Sequence, residues 1–258
     1  MIDAAVEAAK SAGELIRAGR RPLERGAVDH KGAVDLVTEV DLACEARIRE
    51  VLARHTPDIP VYAEEGGGAA RATTRWIVDP LDGTTNFVHD FPSYAVSIGL
   101  QVEGTLTAGV IYDPLRDHCY TATLGGGAWC NGQRLRVSAC TSLDQALIGS
   151  GFAYDRRERP DFYLDFVRAF LVRCQGFRRA GAAAMDLAHV AAGRLDGFWE
   201  FQLNAWDIAA GVLLIQEAGG RVTEMTGATL DLDQPTVLAS NGSALHDEML
   251  RVLEPLLG

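Results

Sequence analysis

Apolar positions along the chain change their period several times, and the changes divide it into elements. Over residues 2 to 18, Ile2, Val6, Ala9, Gly13 and Ile16 recur at helical spacing with Glu7, Lys10, Glu14 and Arg17 between them, which predicts an amphipathic opening helix. A second helical pattern runs from about 39 to 55 with Cys44, Ile48, Val51 and Leu52 on one side, and "TPDIP" stops it. "Thr38-Glu39-Val40-Asp41" reads as its capping box. From 76 to 137 the texture is that of strands: "WIVD", "YAVSIGLQV", "TLTAGVIYD", "HCYTATL" and "QRLRVS". The turns between them, "VEGT", "GGG" and "NG", suit antiparallel hairpins.

Residues 138 to 145, "SACTSLDQ", are polar and read as a seam. Beyond it strands and helices alternate. "ALIGSGF" precedes a helix aligning Phe162, Phe166 and Phe170, and "GFRRAG", an alanine-rich helix at 182 to 192 and the strand "GRLDGFWEF" follow. A helix then opens at "WDIAAGVLLIQEAGG", and "GRVTEM", "TVLAS" and a terminal helix close the chain. The reading is α/β: an α+β first half, residues 1–140, joined to an α/β second half, residues 141–258, in layers of sheet and helix with the site where the halves meet.

The 258 residues are ample for a buried core, and 48% hydrophobic with 23% charged residues is a globular composition. A formal net charge of −11 argues against a nucleic-acid partner, since the short basic cluster "DRRERP" at 155 to 160 is mixed with acids. The first twenty residues carry acids and lack the apolar core of a signal peptide, and no window is apolar enough to span a bilayer, so a cytoplasmic protein with no membrane partner is expected. The five cysteines, at 44, 119, 130, 140 and 174, show no metal-ligand spacing and read as buried, reduced thiols.

The chemistry concentrates in "WIVDPLDGTTNFVH", residues 76 to 89. Asp79 is placed where the strand ends; Pro80 fixes φ, and Asp82 returns toward the same side before Gly83 turns the chain. Two carboxylates this close repel unless a cation lies between them, and oxygen-only donors, the Leu81 carbonyl included, favour a hard ion such as Mg2+. Gly83-Thr84-Thr85, poised to start a helical turn, offers N–H groups and hydroxyls that suit a phosphate. Glu64-Glu65 in "VYAEEGG" and Asp207 in "NAWDIAAG" add carboxylates at other element ends, enough for two or three ions. Each has a plainer explanation: Asp207 as a helix N-cap, Asp41 as part of the capping box, Glu64 and Glu65 as a solvated loop.

Three separated stretches, "VDLVTEVD" with "YAEEGG", then "WIVDPLDGTTNFVHDFPSYAVSIGL", then "WDIAAGVLLIQEAGG", resemble the inositol monophosphatases of the metal-dependent, lithium-sensitive sugar-phosphatase superfamily, over nearly the whole chain. The resemblance implies a layered α-β-α-β-α sandwich, homodimerisation and hydrolysis of a small phosphate monoester with two or three Mg2+ ions. It implies Glu64, Asp79, the Leu81 carbonyl, Asp82 and Asp207 as metal ligands, and Thr84 paired with Asp41 as the catalytic dyad that orients and deprotonates water. Gly83 and Thr84 would bind phosphate, and Gly181, Ala182, Ala183 and Glu200 the alcohol. Ala182 stands where relatives have Ser or Thr, and Asn204-Ala205 lies in a stretch that varies between subfamilies. The expected substrate is myo-inositol monophosphate. Histidinol phosphate, fructose 1,6-bisphosphate and adenosine 3′,5′-bisphosphate are alternatives, with Arg178 and Arg179 as candidates for a second phosphate. The alternative of another class is a non-catalytic regulatory binding protein.

Overall fold

The computed structural model describes residues 1–19, 29–30, 36–37, 39–233 and 235–257. Its helices are α1 (Ile2–Gly19), α2 (Glu39–His55), α3 (Thr84–Val88), α4 (Pro160–Leu171), α5 (Ala183–Ala191), α6 (Ala205–Glu217) and α7 (Ala244–Leu253). The buried face of α1 is made of Ala4, Ala5, Ala8, Ala9, Ala12, Gly13 and Ile16. Such small residues let the helix lie close to α2 and to the sheet: a Cβ on Gly13 would fall 2.3 Å from the Tyr112 ring.

The larger sheet has eight strands, ordered Gln133–Arg134, Gly127–Cys130, His118–Thr123, Thr105–Asp113, Ala95–Val102, Arg75–Asp82, Val61–Ala63 and Gly67–Gly68. Among the described residues its one parallel pairing sets Val61–Ala63 beside Arg75–Asp82. The smaller sheet has five strands, ordered Gly176–Arg178, Leu147–Ser150, Gly197–Glu200, Val237–Ser240 and Arg221–Thr223. Its first three strands are parallel and the remaining pairings antiparallel. A two-stranded piece pairs Asp29–His30 with Leu36–Val37.

These parts stack in the expected order. Helices α1 and α2 cover one face of the larger sheet, and α5 and α6 fill the space between the sheets around Leu187, Val190, Leu213 and Leu214. On the outer face of the smaller sheet, α4 and α7 enclose Phe166, Phe170 and Trp199. Adjacent strand residues point to opposite faces, so Phe198 belongs to the inner core while Trp199 belongs to the outer one.

Several boundaries differ from the sequence reading. A strand at Gly127–Cys130 lies between the "GGG" and "NG" turns, where four residues between glycines leave too short a pattern to read, and the strand read at "QRLRVS" is only Gln133–Arg134. Asn131 and Gly132 do take the positive φ, 47° and 80°, that a two-residue hairpin turn needs. The five cysteines are free thiols, but Cys130, Cys140 and Cys174 are only partly buried. Thr38, the cap of the predicted capping box, lies outside the described residues. Among those described, no helix is long and apolar enough to cross a membrane.

Candidate active site

The strand Arg75–Asp82 is buried along its whole length. It does not end at Asp79, as the sequence suggested, but continues to Asp82 through a slip in its pairing with Ala95–Val102: Asp79 faces Ser97 and Asp82 faces Ala95. Three steps on one strand against two on its partner insert one extra residue, the signature of a β-bulge, at the point where Pro80 has no N–H to offer the ladder. Strand side chains alternate, so residues three apart would normally face opposite ways. The bulge restores them to one side, and Asp79 and Asp82 line the same cleft of about 180 Å³.

Glu64 and Asp207 line it too. Glu64 follows Val61–Ala63, and its N–H donates to the Val78 carbonyl at 3.2 Å, which docks it beside the bulged strand. The turn after it is not a free solvated loop. Buried Glu45, on α2, accepts from the Glu65 N–H at 2.9 Å and the Gly66 N–H at 3.0 Å, and Arg49 holds that carboxylate at 2.8 Å. Sequence reading missed Glu45 because nothing in a helical acid reveals that a distant turn rests on it.

Asp207 is the third residue of α6 and not its cap. Asn204 is the cap, and its N–H donates to Asp207 Oδ2 at 2.6 Å. Asp82 accepts from the N–H groups of Ala183, Ala184 and Met185 at 3.2, 2.8 and 3.4 Å, so it terminates α5 from across the cleft, where the helix dipole favours a negative charge. The Leu81 N–H donates to Asp79 Oδ1 at 2.9 Å.

Gly83 has φ of 86°, and a Cβ there would approach the Ser93 carbonyl oxygen to 2.9 Å and the Ala182 Cβ to 3.1 Å, so no other residue fits without displacement. It starts α3, whose first residue Thr84 places Oγ1 3.1 Å from both Asp41 Oδ1 and the Leu81 carbonyl oxygen. Asp41 itself is buried on α2.

Burial and mutual repulsion govern the carboxylates. Burial first, then the charges of Asp207, Glu65 and Asp41, push Glu64 up to about 8. Asp79 stands well above its ordinary value through burial and the charges of Glu64, Asp82 and Asp207. Burial and Asp207 raise Asp82 to about 7 against the pull of its three N–H donors, and burial raises Asp207 to about 6 against that of Asn204. Among the described residues, no three carboxylate, imidazole or thiol groups stand already gathered at metal-binding spacing. The acidic side of the cleft is nevertheless lined by oxygen donors alone, and what that side lacks electrostatically is positive charge. That donor set fits a hard divalent cation.

On the opposite wall stand Gly181, Ala183 and Glu200. Glu200 is buried and stands well above the usual carboxylate range, chiefly through burial, with Arg179 pulling the other way. A Cβ on Gly151 would lie 2.0 Å from the Glu200 carboxylate, so the chain must be glycine there for the acid to reach its position. Ala182 is buried and does not line the cleft; its Cβ packs toward Gly83. Arg179 lines the mouth, whereas Arg178 is outside it, exposed on its edge strand. Phe152, Tyr154, Arg156 and Gln202 complete the wall unannounced, although "DRRERP" had marked Arg156 as part of a basic cluster.

Two sheets interleaved with three helix pairs, and an acid-lined cleft at a bulged strand, define a class seen in solved structures. The extragenic suppressor protein SuhB of Bartonella henselae matches with a TM-score of 0.91 at 38% identity, covering 98% of this chain and 97% of that one. The inositol monophosphatase of Anabaena (Nostoc) sp. matches with a TM-score of 0.88 at 40% identity, covering 98% and 95%. In sequence, the Nus factor SuhB of Pseudomonas aeruginosa is 44% identical over 263 residues, spanning 100% of this chain and 97% of its own. The model of the inositol monophosphatase family matches residues 1–257. The chain belongs to the inositol monophosphatase family, and with it to the phosphomonoester hydrolases.

Proposed function

We propose that this protein is a Mg2+-dependent phosphomonoesterase that hydrolyses myo-inositol monophosphate to inositol and phosphate. The observation that carries the reading is the bulge that turns Asp79 and Asp82 into one cleft with Glu64 and Asp207. Buried carboxylates raised by each other's charge are costly to maintain, and a cation is what offsets the cost. Glu64, Asp79, the Leu81 carbonyl, Asp82 and Asp207 would hold two or three ions, with Asp79 central because it feels the other three carboxylates. Bound Mg2+ supplies a Lewis acid that lowers the pKa of water and neutralises charge on the phosphoryl and leaving oxygens.

The protein groups divide the remaining work. Thr84 Oγ1, hydrogen-bonded to Asp41, orients the attacking water, and Asp41 is the acceptor toward which its proton moves. Gly83 and Thr84 present N–H groups to the phosphate at the start of α3. Gly181 and Ala183 shape the alcohol side, with Ala182 packed behind them, and Glu200 accepts hydrogen bonds from the polyol hydroxyls. In this reading residues 1–140 carry most ligands, residues 141–258 bring Asp207 and the alcohol contacts, and the chain works as a homodimer.

A second reading is favoured by the relatives described as Nus factors, a description that names no hydrolysis. In it the fold serves a partner and the cleft is a relic. The test is phosphate release with Mg2+ and with EDTA across inositol 1-phosphate, histidinol phosphate, fructose 1,6-bisphosphate and adenosine 3′,5′-bisphosphate. A Mg2+-dependent preference for inositol 1-phosphate is expected. Preference for another ester keeps the mechanism and changes the substrate, and no turnover from folded, metal-loaded protein hands the case to the partner-binding reading.

A further inference from the structure

A second cavity, of about 390 Å³, opens at the opposite end of the larger sheet from the acidic cleft. His118, Cys130, Arg134 and Arg194 line it, with Leu135 and Ala192 as apolar wall, and none of its described lining residues is acidic. In a chain of net charge −11, two guanidiniums facing a cavity without a carboxylate are conspicuous.

The polar groups there have spare hydrogen-bonding capacity. Arg194 Nη1 donates to the Tyr120 hydroxyl at 2.8 Å, which positions the guanidinium without neutralising it. Arg134 lies over the Trp129 ring at 5.9 Å from its centroid, a contact that also leaves its charge unpaired. Nδ1 of His118 is buried with no hydrogen-bond partner, and so is Nδ1 of neighbouring His189 on α5. Native proteins seldom leave such atoms unpaired, and each exception calls for a water, an ion or a ligand. The local field has the same sign: His189 is pushed down to about 4 by burial and then by the charges of Arg194 and Arg116. Asp113, whose charge pulls His189 the other way, is engaged by Arg116 at 2.8 Å and by the N–H groups of Leu115 and Arg116.

We propose that this cavity is a binding site for a small phosphorylated anion, held by Arg134 and Arg194 and hydrogen-bonded by His118. Guanidiniums hydrogen-bond phosphate oxygens in a fork geometry, and the cavity is of a size for a metabolite rather than a polymer. The site is separate from the acidic cleft. The two lie at opposite ends of α5, whose first turn is capped by Asp82 and whose C-cap residue Ala192 lines the cavity. A nine-residue helix spans about 13 Å.

The test is a calorimetric titration of inorganic phosphate into the full chain in EDTA, where the acidic cleft holds no cation to attract an anion. Saturable binding of one phosphate per chain is expected, together with a shift of the His118 imidazole resonances. Arg134→Gln and Arg194→Gln should each weaken binding about tenfold, the scale of one charge-assisted contact. Arg134 is exposed and its guanidinium rests on the Trp129 ring and beside Gly127, so Arg134→Gln should keep the wild-type melting temperature and wild-type turnover of the cleft's substrate. Absence of saturable binding overturns the proposal. So does binding that survives both substitutions but is lost on Arg156→Gln, which would place the ion in the acidic cleft.

Discussion

Asp79 concentrates the energetics of the cleft in a single residue. It is 2% exposed, and the charges of Glu64, Asp82 and Asp207 all act on it. Replacing it by Asn removes the repulsion without changing size. Asp79→Asn should therefore melt at a higher temperature than wild type in EDTA, show no stabilisation by Mg2+, and lose Mg2+-dependent turnover, all readable from calorimetry and phosphate release. A variant that keeps near-normal turnover would remove Asp79 from the ligand set. Thr84 makes a contrasting case, since its hydroxyl contacts Asp41 and the Leu81 carbonyl rather than the carboxylate cluster. Thr84→Ala should lower kcat by ~10²-fold or more while the Mg2+ dependence of the melting temperature stays close to wild type. Collapse of metal affinity would instead make Thr84 a structural residue.

Among the elements, α6 decides where Asp207 stands. It packs on the larger sheet through Gly99 and Gly109, where added Cβ atoms would come 2.8 Å from Ala209 Cβ and 3.0 Å from Ala210 Cα. These glycines are there for close approach and not for backbone freedom. Gly99→Ala should cost about 1 to 3 kcal/mol by overpacking and, by lifting the first turns of α6, should raise the Mg2+ concentration needed for half-maximal activity. Urea denaturation and a metal titration check the two effects. Unchanged metal dependence in a destabilised variant would show that α6 tilts without moving Asp207.

At the scale of the whole molecule, pH acts on buried groups in opposite senses. Fully buried His246 has both ring nitrogens engaged, with Ser240 Oγ at 2.8 Å from Nδ1 and Thr223 Oγ1 at 3.1 Å from Nε2. Thr223 gives its own proton to the Glu224 carbonyl, so it accepts from Nε2–H and Nδ1 is left to accept from Ser240. This neutral arrangement has no place for a second imidazole proton, and burial pushes His246 down to about 4. The unfolded chain protonates near 6.5, so folded stability is lost as pH falls from about 6.5 to about 4 and is constant above that window. The raised carboxylates of the cleft act the other way, since their protonation favours the fold as pH falls. They are common to wild type and His246→Asn. The stability gap between the two should therefore narrow by up to about 3 kcal/mol between pH 7 and pH 4, as measured by urea unfolding across that range; a constant gap would mean that His246 titrates normally.

The sequence by itself determined most of the elements and which carboxylates stand at their ends. Periodicity placed α1 and α2 to within a residue, because a helix buries one face and the spacing of Ile16, Ile48 and Leu52 records which. Carboxylates in "DPLDGTT" pointed toward a cation because their repulsion is a local property of residues three apart. Only the tertiary structure decided how they converge. The bulge at Pro80 depends on pairing with a strand that begins at Ala95, and Asp82 reaches α5 a hundred residues later in the chain. Glu45 under the Glu64 turn, Gly151 against Glu200 and the arginine-lined cavity at the far end of α5 are likewise contacts between segments distant in sequence. A chain's pattern reports what each segment must bury, and the packing of one segment on another fixes which charges come to face each other.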